Sequence, residues 1–144
     1  FLLDDMSVEV TADGRHLPPT ILRLVYKLKG VENMSLVTNA LKYACYNEPV
    51  LDDPDFIIED EVVKLKDHSS LAGSIATMDK VVRVAINAEI PLIDAIRMAT
   101  ETPAKVMGCY DRVGSLEEGK DADVVLMDKD LEITGVWSQG IKVV

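Results

Sequence analysis

The residues best suited to chemistry sit in two short stretches. Asp13, Gly14, Arg15 and His16 follow the alternating run Ser7 to Thr11, and Asn39 follows the apolar run Met34 to Thr38. On scaffolds of alternating strands and helices, reactive groups collect just past the C-terminal ends of strands. Both stretches have that position. Gly14 frees the backbone to aim His16, and an imidazole there can bind a ligand or move a proton near neutral pH. The competing reading has Asp13 capping a turn and His16 on the surface. For Asn39 the competing reading is a strand-end amide bonded to its own turn. Gly73 and Ser74, ahead of a helix, offer backbone N–H groups that suit an anion or a carbonyl oxygen, a weaker signal.

Other chemistries lack their residues. A metal site needs several convergent ligands. The only histidines are His16 and His68, and neither belongs to a ligand-spaced pair. No complete metal site is therefore expected within residues 1–144. Cys45 and Cys109 have no neighbouring His and read as buried, inert thiols. Nucleophile elbow, phosphate loop and dinucleotide fingerprint are all missing from the sequence. Trp137 and the six methionines read as packing.

The elements that must position these residues follow from periodicity. Val8 and Val10 share one face of a strand. Pro18 and Pro19 open a helix where a missing N–H costs nothing. Its apolar face is predicted to be Ile21, Leu24, Val25 and Leu28, with Gly30 as the C-cap. Met34 to Thr38 then forms a second strand. Strand, helix, strand is a βαβ unit, so the two strands should be parallel. Residues 40–55 carry no clear period, and Pro49, Asp52, Asp53 and Pro54 mark a loop or insertion. Phe56 to Ile58 and Val62 to Leu65 read as an antiparallel hairpin. A helix is expected over 78–88 on the stripe Met78, Val81, Val82 and Ala85. Another starts at Pro91 and carries Leu92, Ala95, Ile96 and Ala99. Thr102 is read as the N-cap of a short helix that Gly108 closes. Beyond Gly108 the chain turns all-β, with strands at 122–127, 131–136 and 141–144.

Composition limits the partners. The 15 basic residues against 25 acidic ones leave a net charge of -10 with no basic block, which excludes nucleic acid and anionic membranes as natural partners. At 48% hydrophobic and 28% charged residues the chain is globular in character and not disordered. No apolar run approaches the roughly 20 residues that span a bilayer. The start, Phe1 to Asp5, is no signal peptide, and the missing initiator Met points to a chain that begins inside a longer one. Two cysteines are too few for a disulfide framework and fit a reducing, cytoplasmic setting.

Four segments in order resemble the C-terminal part of the N-acetylglucosamine-6-phosphate deacetylase family of the amidohydrolase superfamily. They are Val8 to His16, Leu36 to Ala40, Leu71 to Ser74 with Thr77 to Asp79, and Gly114 to Asp123. The last is shared widely among amidohydrolases, whereas Ala-Asp-Gly-x-His with Leu-Ala-Gly-Ser is more specific to sugar-phosphate deacetylases. The resemblance implies an α/β chain, the C-terminal part of a TIM-like (β/α)8 metal-dependent hydrolase barrel plus strands of a small β-sandwich domain. Residues 1–108 would be the last strands and helices of the barrel, with a hairpin insertion near 48–70. Residues 109–144 would be sandwich strands.

The resemblance also implies roles. His16 would contact an oxygen of the sugar phosphate, and Leu71, Ala72 and Gly73 would be a loop lining the sugar site through backbone groups. Asn39 occupies the position of the family's catalytic Asp. The divalent metal, Zn or Fe, would be held by residues outside this chain, and the full-length form would be a homodimer. The implied reaction is hydrolysis of the N-acetyl group of an amino-sugar 6-phosphate. This chain alone should be inactive. A non-catalytic sugar-phosphate-binding homologue and a hydrolase for another amide, such as N-acetylgalactosamine 6-phosphate, are the alternatives.

Overall fold

The computed structural model describes residues 5–44 and 53–144. Cys45 and Pro49 lie outside the described residues. The architecture is mixed α/β, in the order β1 (Val8–Thr11), α1 (Pro19–Lys29), a 3-10 turn Val31–Asn33, β2 (Met34–Val37), β3 (Phe56–Glu59), β4 (Val62–Leu65), β5 (Leu71–Ser74), α2 (Met78–Asn87), α3 (Leu92–Ala99), α4 (Glu101–Val106), β6 (Val124–Met127), β7 (Ile133–Ser138) and β8 (Ile141–Lys142).

The βαβ unit forms as read. β1 and β2 are parallel, with Val8 opposite Met34 and Thr11 opposite Val37. Met34, Ser35 and Leu36 are all buried, so β2 is covered on both faces, as strands of parallel sheets usually are. The core joins Val10, Leu22, Val25, Met34 and Leu36 to Val81, Val82, Ala85, Ala95 and Met98. Thus α1, α2 and α3 cover the two-stranded sheet.

Of the face predicted for α1 only Val25 is buried. Leu22 and Val25 point into the core, while Ile21, Leu24 and Leu28 are 40, 48 and 49 % exposed. The helix is apolar on two sides, and periodicity alone cannot say which side goes in. Its N-terminus is as expected, with Pro18 at the N-cap and Pro19 at the first helical position. In α2 the stripe Val81, Val82 and Ala85 is buried, but Met78 at the first turn is 37 % exposed. In α3, Ala95 and Met98 carry the burial, and Leu92 is turned out.

Thr102 is not an N-cap. α4 begins at Glu101 with Thr100 at the cap, and Thr102 sits in the first turn. Its hydroxyl donates to the Val31 carbonyl at 2.7 Å, tying α4 to the loop before β2. Pro103 is still within the first turn, where N–H groups lack intrahelical partners.

The hairpin β3–β4 is antiparallel, Phe56 opposite Leu65 and Glu59 opposite Val62. β5 adds to β4 as a third strand, Val62 opposite Ser74. In the tail, β7 is the centre of an antiparallel sheet ordered β6-β7-β8. β7 starts at Ile133, two residues later than the sequence suggested. The strand read at 122–127 forms over Val124–Met127, and its apolar side chains are not covered, with Val125 and Leu126 54 and 53 % exposed. The Trp137 ring lies over Gly135, where a Cβ would approach Trp137 Cζ3 to 2.7 Å. Arg83 of α2 ties this tail to the core by donating to the Leu131 carbonyl at 2.8 Å.

Candidate active site

The loop after β1 is organised by one buried carboxylate. Asp13 is 2 % exposed. Its Oδ1 accepts the backbone N–H groups of Arg15 and His16, both at 2.9 Å. Its Oδ2 faces His16 Nδ1 at 2.8 Å. Gly14 adopts φ 81°, a conformation that favours glycine, and this lets the chain fold back on the Asp13 side chain. Asp13 therefore caps the turn, as the competing reading had it, and also holds the His16 ring, which is partly buried and not on the surface. Burial alone pushes the Asp13 carboxyl up, but the N–H groups of His16 and Arg15 and the His16 ring outweigh it and keep it below its ordinary value. Asp13 is an anion.

Asn39 stands one strand over, just past β2, in the left-handed conformation at φ 48°. Its side chain is exposed. Its backbone is tightly used. Asn39 O accepts the Ser74 N–H at 2.9 Å, and Ser74 O accepts the Leu41 N–H at 3.0 Å. These bonds make a parallel bridge between Ala40 and Ser74. The Ser74 N–H is thus spent on Asn39 and is not free for an anion.

Leu71, Ala72 and Gly73 form strand β5 and not a loop. Gly73 and Leu71 are register partners of Val63 and Lys64, which limits the backbone groups left for a ligand. Gly73 is needed where it stands. A Cβ there would meet Leu41 Cγ at 2.7 Å and Asn39 O at 3.2 Å. The glycine allows β5 to lie directly on the strand-end loop that carries Asn39.

Arg15 links the hairpin to this corner. Its guanidinium donates to Glu61 at 2.8 Å, and Lys80 of α2 approaches the same carboxylate at 3.3 Å. Sequence reading missed this contact, since nothing local pairs Arg15 with a residue 46 positions away. It also missed the second task of Asp13, for which the Asp-x-x-His spacing was the available signal.

Among the described residues no group of three or more His, Cys, Asp or Glu side chains could hold a metal ion. Cys109 is a free thiol of intermediate exposure and not the buried one expected. Among the described residues no helix is long and apolar enough to cross a membrane.

Residues 5–143 match the amidohydrolase family. The chain belongs to this family. Amidohydrolases are generally metal-dependent, yet the described residues of this chain do not fit a metal. Among curated relatives, an N-acetylgalactosamine-6-phosphate deacetylase of Shewanella sp. (strain ANA-3) is 34% identical over 97% of this chain. An N-acetylglucosamine-6-phosphate deacetylase of Haemophilus influenzae is 29% identical over 94% of it. In both cases the match covers 36% of the relative, so the chain spans about a third of their length. The crystal structure of N-acetylglucosamine-6-phosphate deacetylase from Pasteurella multocida superposes on 99% of this amidohydrolase chain with a TM-score of 0.90 and 27% identity, using 38% of its own length. A Mycobacterium smegmatis deacetylase, a mutant in complex with N-acetyl-D-glucosamine-6-phosphate, matches 94% of the chain at 32% identity and a TM-score of 0.84, over 37% of its own length.

Proposed function

We propose that the whole protein containing this segment is a metal-dependent deacetylase of amino-sugar 6-phosphates, releasing acetate and the free amino sugar. The observation that carries the proposal is the likeness to the Pasteurella multocida deacetylase along 99% of the chain. In this reading residues 1–108 are the last strands and helices of a (β/α)8 barrel, with the hairpin near 48–70 as an insertion. Residues 109–144 are strands of a small β-sandwich. The open faces of α1 and β6 are the surfaces the rest of the protein would cover. The protein would act in the cytoplasm as a homodimer. A divalent metal, Zn or Fe, would be held by residues outside 1–144 and would supply Lewis-acid chemistry.

Within this segment His16 would hold an oxygen of the sugar phosphate, and Leu71, Ala72 and Gly73 would line the sugar. Asn39 stands where the resemblance has a catalytic Asp. A carboxylate there can take a proton from water and deliver it to the leaving amine. A carboxamide is nearly the same size and still bonds water, but it cannot hold and release that proton near neutral pH. General acid–base help is worth about 10²–10⁴-fold. With Asn39 in place the protein should bind its substrate and turn it over slowly.

The test is Asn39→Asp in the whole protein, assayed for acetate release from N-acetylglucosamine and N-acetylgalactosamine 6-phosphates with Zn²⁺ or Fe²⁺ supplied. The expected gain is about 10²–10⁴-fold. Asn39 itself favours one second reading, a sugar-phosphate-binding homologue without catalysis. Tight binding of the intact acetylated sugar with no hydrolysis in either form would select it. The 34% identity to the Shewanella protein makes the galacto sugar the first alternative substrate.

A further inference from the structure

The Asp13–His16 pair carries an inference about hydrogen placement. Asp13 Oδ1 already takes two backbone N–H groups, and among the described residues Oδ2 faces only His16 Nδ1, at 2.8 Å. The carboxyl is 2 % exposed, so water does not replace these partners. A carboxylate accepts and cannot donate. Nδ1 must therefore carry the hydrogen of this contact whether the ring is neutral or charged. A neutral imidazole has one N–H only, which leaves Nε2 bare.

The other charged groups of this corner do not alter that assignment. Arg15, on the same loop, gives its guanidinium to Glu61 of the hairpin, and Glu61 also receives Lys80 of α2. The α2 residue nearest Gly14 is apolar, with Val84 Cγ2 3.5 Å from where a Cβ would stand. Asp13 is thus the charged group that meets the Nδ1 side of the His16 ring.

We propose that Asp13 is a positioning residue that fixes His16 in its Nδ1–H form, so that Nε2 presents a lone pair in the neutral ring and donates to an anionic oxygen only after taking up a proton. The anion rests on the function proposed above: it is the phosphate of the sugar. The step balances simply. One proton passes from solvent to Nε2, the ring becomes an imidazolium between the Asp13 carboxylate and the phosphate, and no other bond changes.

Asp13→Asn separates this role from turn-making. The Asn Oδ1 still accepts the two loop N–H groups, but its NH₂ now faces Nδ1. A donor at that point requires Nδ1 bare and moves the ring hydrogen to Nε2, as it does when the Asp of a Ser-His-Asp triad becomes Asn. The whole protein is labelled with ring-¹⁵N histidine and His16 is assigned by His16→Gln. Its two nitrogen shifts are read at a pH where its own titration shows the ring neutral. The expected pattern is N–H at Nδ1 and a bare Nε2, reversed in Asp13→Asn. A neutral wild-type ring with its hydrogen on Nε2, or a folded Asp13→Asn without reversal, overturns the proposal. Should Asp13→Asn fail to fold, the wild-type spectrum decides alone.

Calorimetry of sugar-phosphate binding at the same pH, in buffers of different ionisation heat, supplies the second reading. Uptake of about one proton by the wild type and none by Asp13→Asn is expected, since each ring nitrogen binds a single hydrogen. Binding without uptake in the wild type overturns the anionic contact. Absence of any sugar-phosphate binding overturns the proposed function instead, and the nitrogen shifts then decide the Asp13 proposal independently.

Discussion

Replacing Gly73 by Ala probes how closely β5 is pressed on the Asn39 loop. Gly73 lies outside the positive-φ region, so an alanine is not strained by its backbone. Its added Cβ would stand 2.7 Å from Leu41 Cγ, 3.0 Å from Leu41 Cδ1 and 3.2 Å from Asn39 O. Ordinary carbon contacts begin near 3.5 Å, so Leu41 must retreat by roughly 0.8 Å. Because Cγ is the branch point, the whole side chain has to move. Overpacking of this kind costs about 1–3 kcal/mol, against about 0.4–1 kcal/mol recovered from the stiffer unfolded chain. The net expectation is a loss of about 1–2 kcal/mol. Guanidinium unfolding of the whole protein measures it. Leu41→Ala should remove most of the clash, so the double variant should be more stable than the sum of the two single losses by about 1 kcal/mol. The Asn39 carbonyl also has to give way, so sugar-phosphate binding should weaken together with stability. A Gly73→Ala protein as stable as the wild type, or single effects that simply add, would refute the close approach of β5 to the loop.

Other predictions concern charge and surface. The Glu101 carboxyl is held down to about 2 by hydrogen bonds from Arg97 and Lys105. Its contribution is complete above its ordinary value of 4.5 and is lost as the pH falls toward about 2. Thermal melts from pH 6 down to about 2 should show wild type and Glu101→Gln converging at the acid end, with a gap that shrinks in high salt. The Asp13 carboxyl also lies below its ordinary value, so its stabilisation is present above 3.8 and is lost on further acidification. An Asp13→Asn melt should lack that acid slope. Thr102→Val leaves the Val31 carbonyl without its donor and should cost about 1–3 kcal/mol in denaturant unfolding. Residues 1–144 expressed alone should self-associate through the exposed Ile21, Leu24 and Leu28 face of α1. Sedimentation should show less association in Leu24→Glu, and a monodisperse wild-type monomer would count against this.

The parts of the fold that could be read from the sequence are those set by local chemistry. Pro18-Pro19, the alternation around Val8 and Val10, and the Glu59 to Glu61 break between two apolar runs each specify structure within a few residues. The errors lie where tertiary contact decides. α1 offers two apolar stripes, and only packing against β2 chooses Leu22 and Val25. Thr102 has the chemistry of a cap, but its hydroxyl satisfies a carbonyl 71 residues away. The strand at Val124–Met127 has the hydrophobicity of a core strand without a covering layer among the described residues. At the site, the positions of His16 and Asn39 after parallel strands were legible. The pressing of β5 against Asn39 was not, because it depends on the missing side chain of Gly73.

The backbone at Asn39 has a consequence for inheritance. At φ 48° most side chains are disfavoured, while Asn and Asp are the usual tolerated non-glycine residues. The two are nearly isosteric, and here the side chain is exposed and the loop is held through main-chain atoms. Exchange between acid and amide at this position therefore leaves folding almost unaffected. Selection on stability cannot distinguish the two forms, so under the role proposed for this position only demand for turnover would keep an acid there. Under that proposed role, a lineage released from the demand would lose the chemistry in one substitution, keep an intact scaffold, and regain the chemistry by the reverse change.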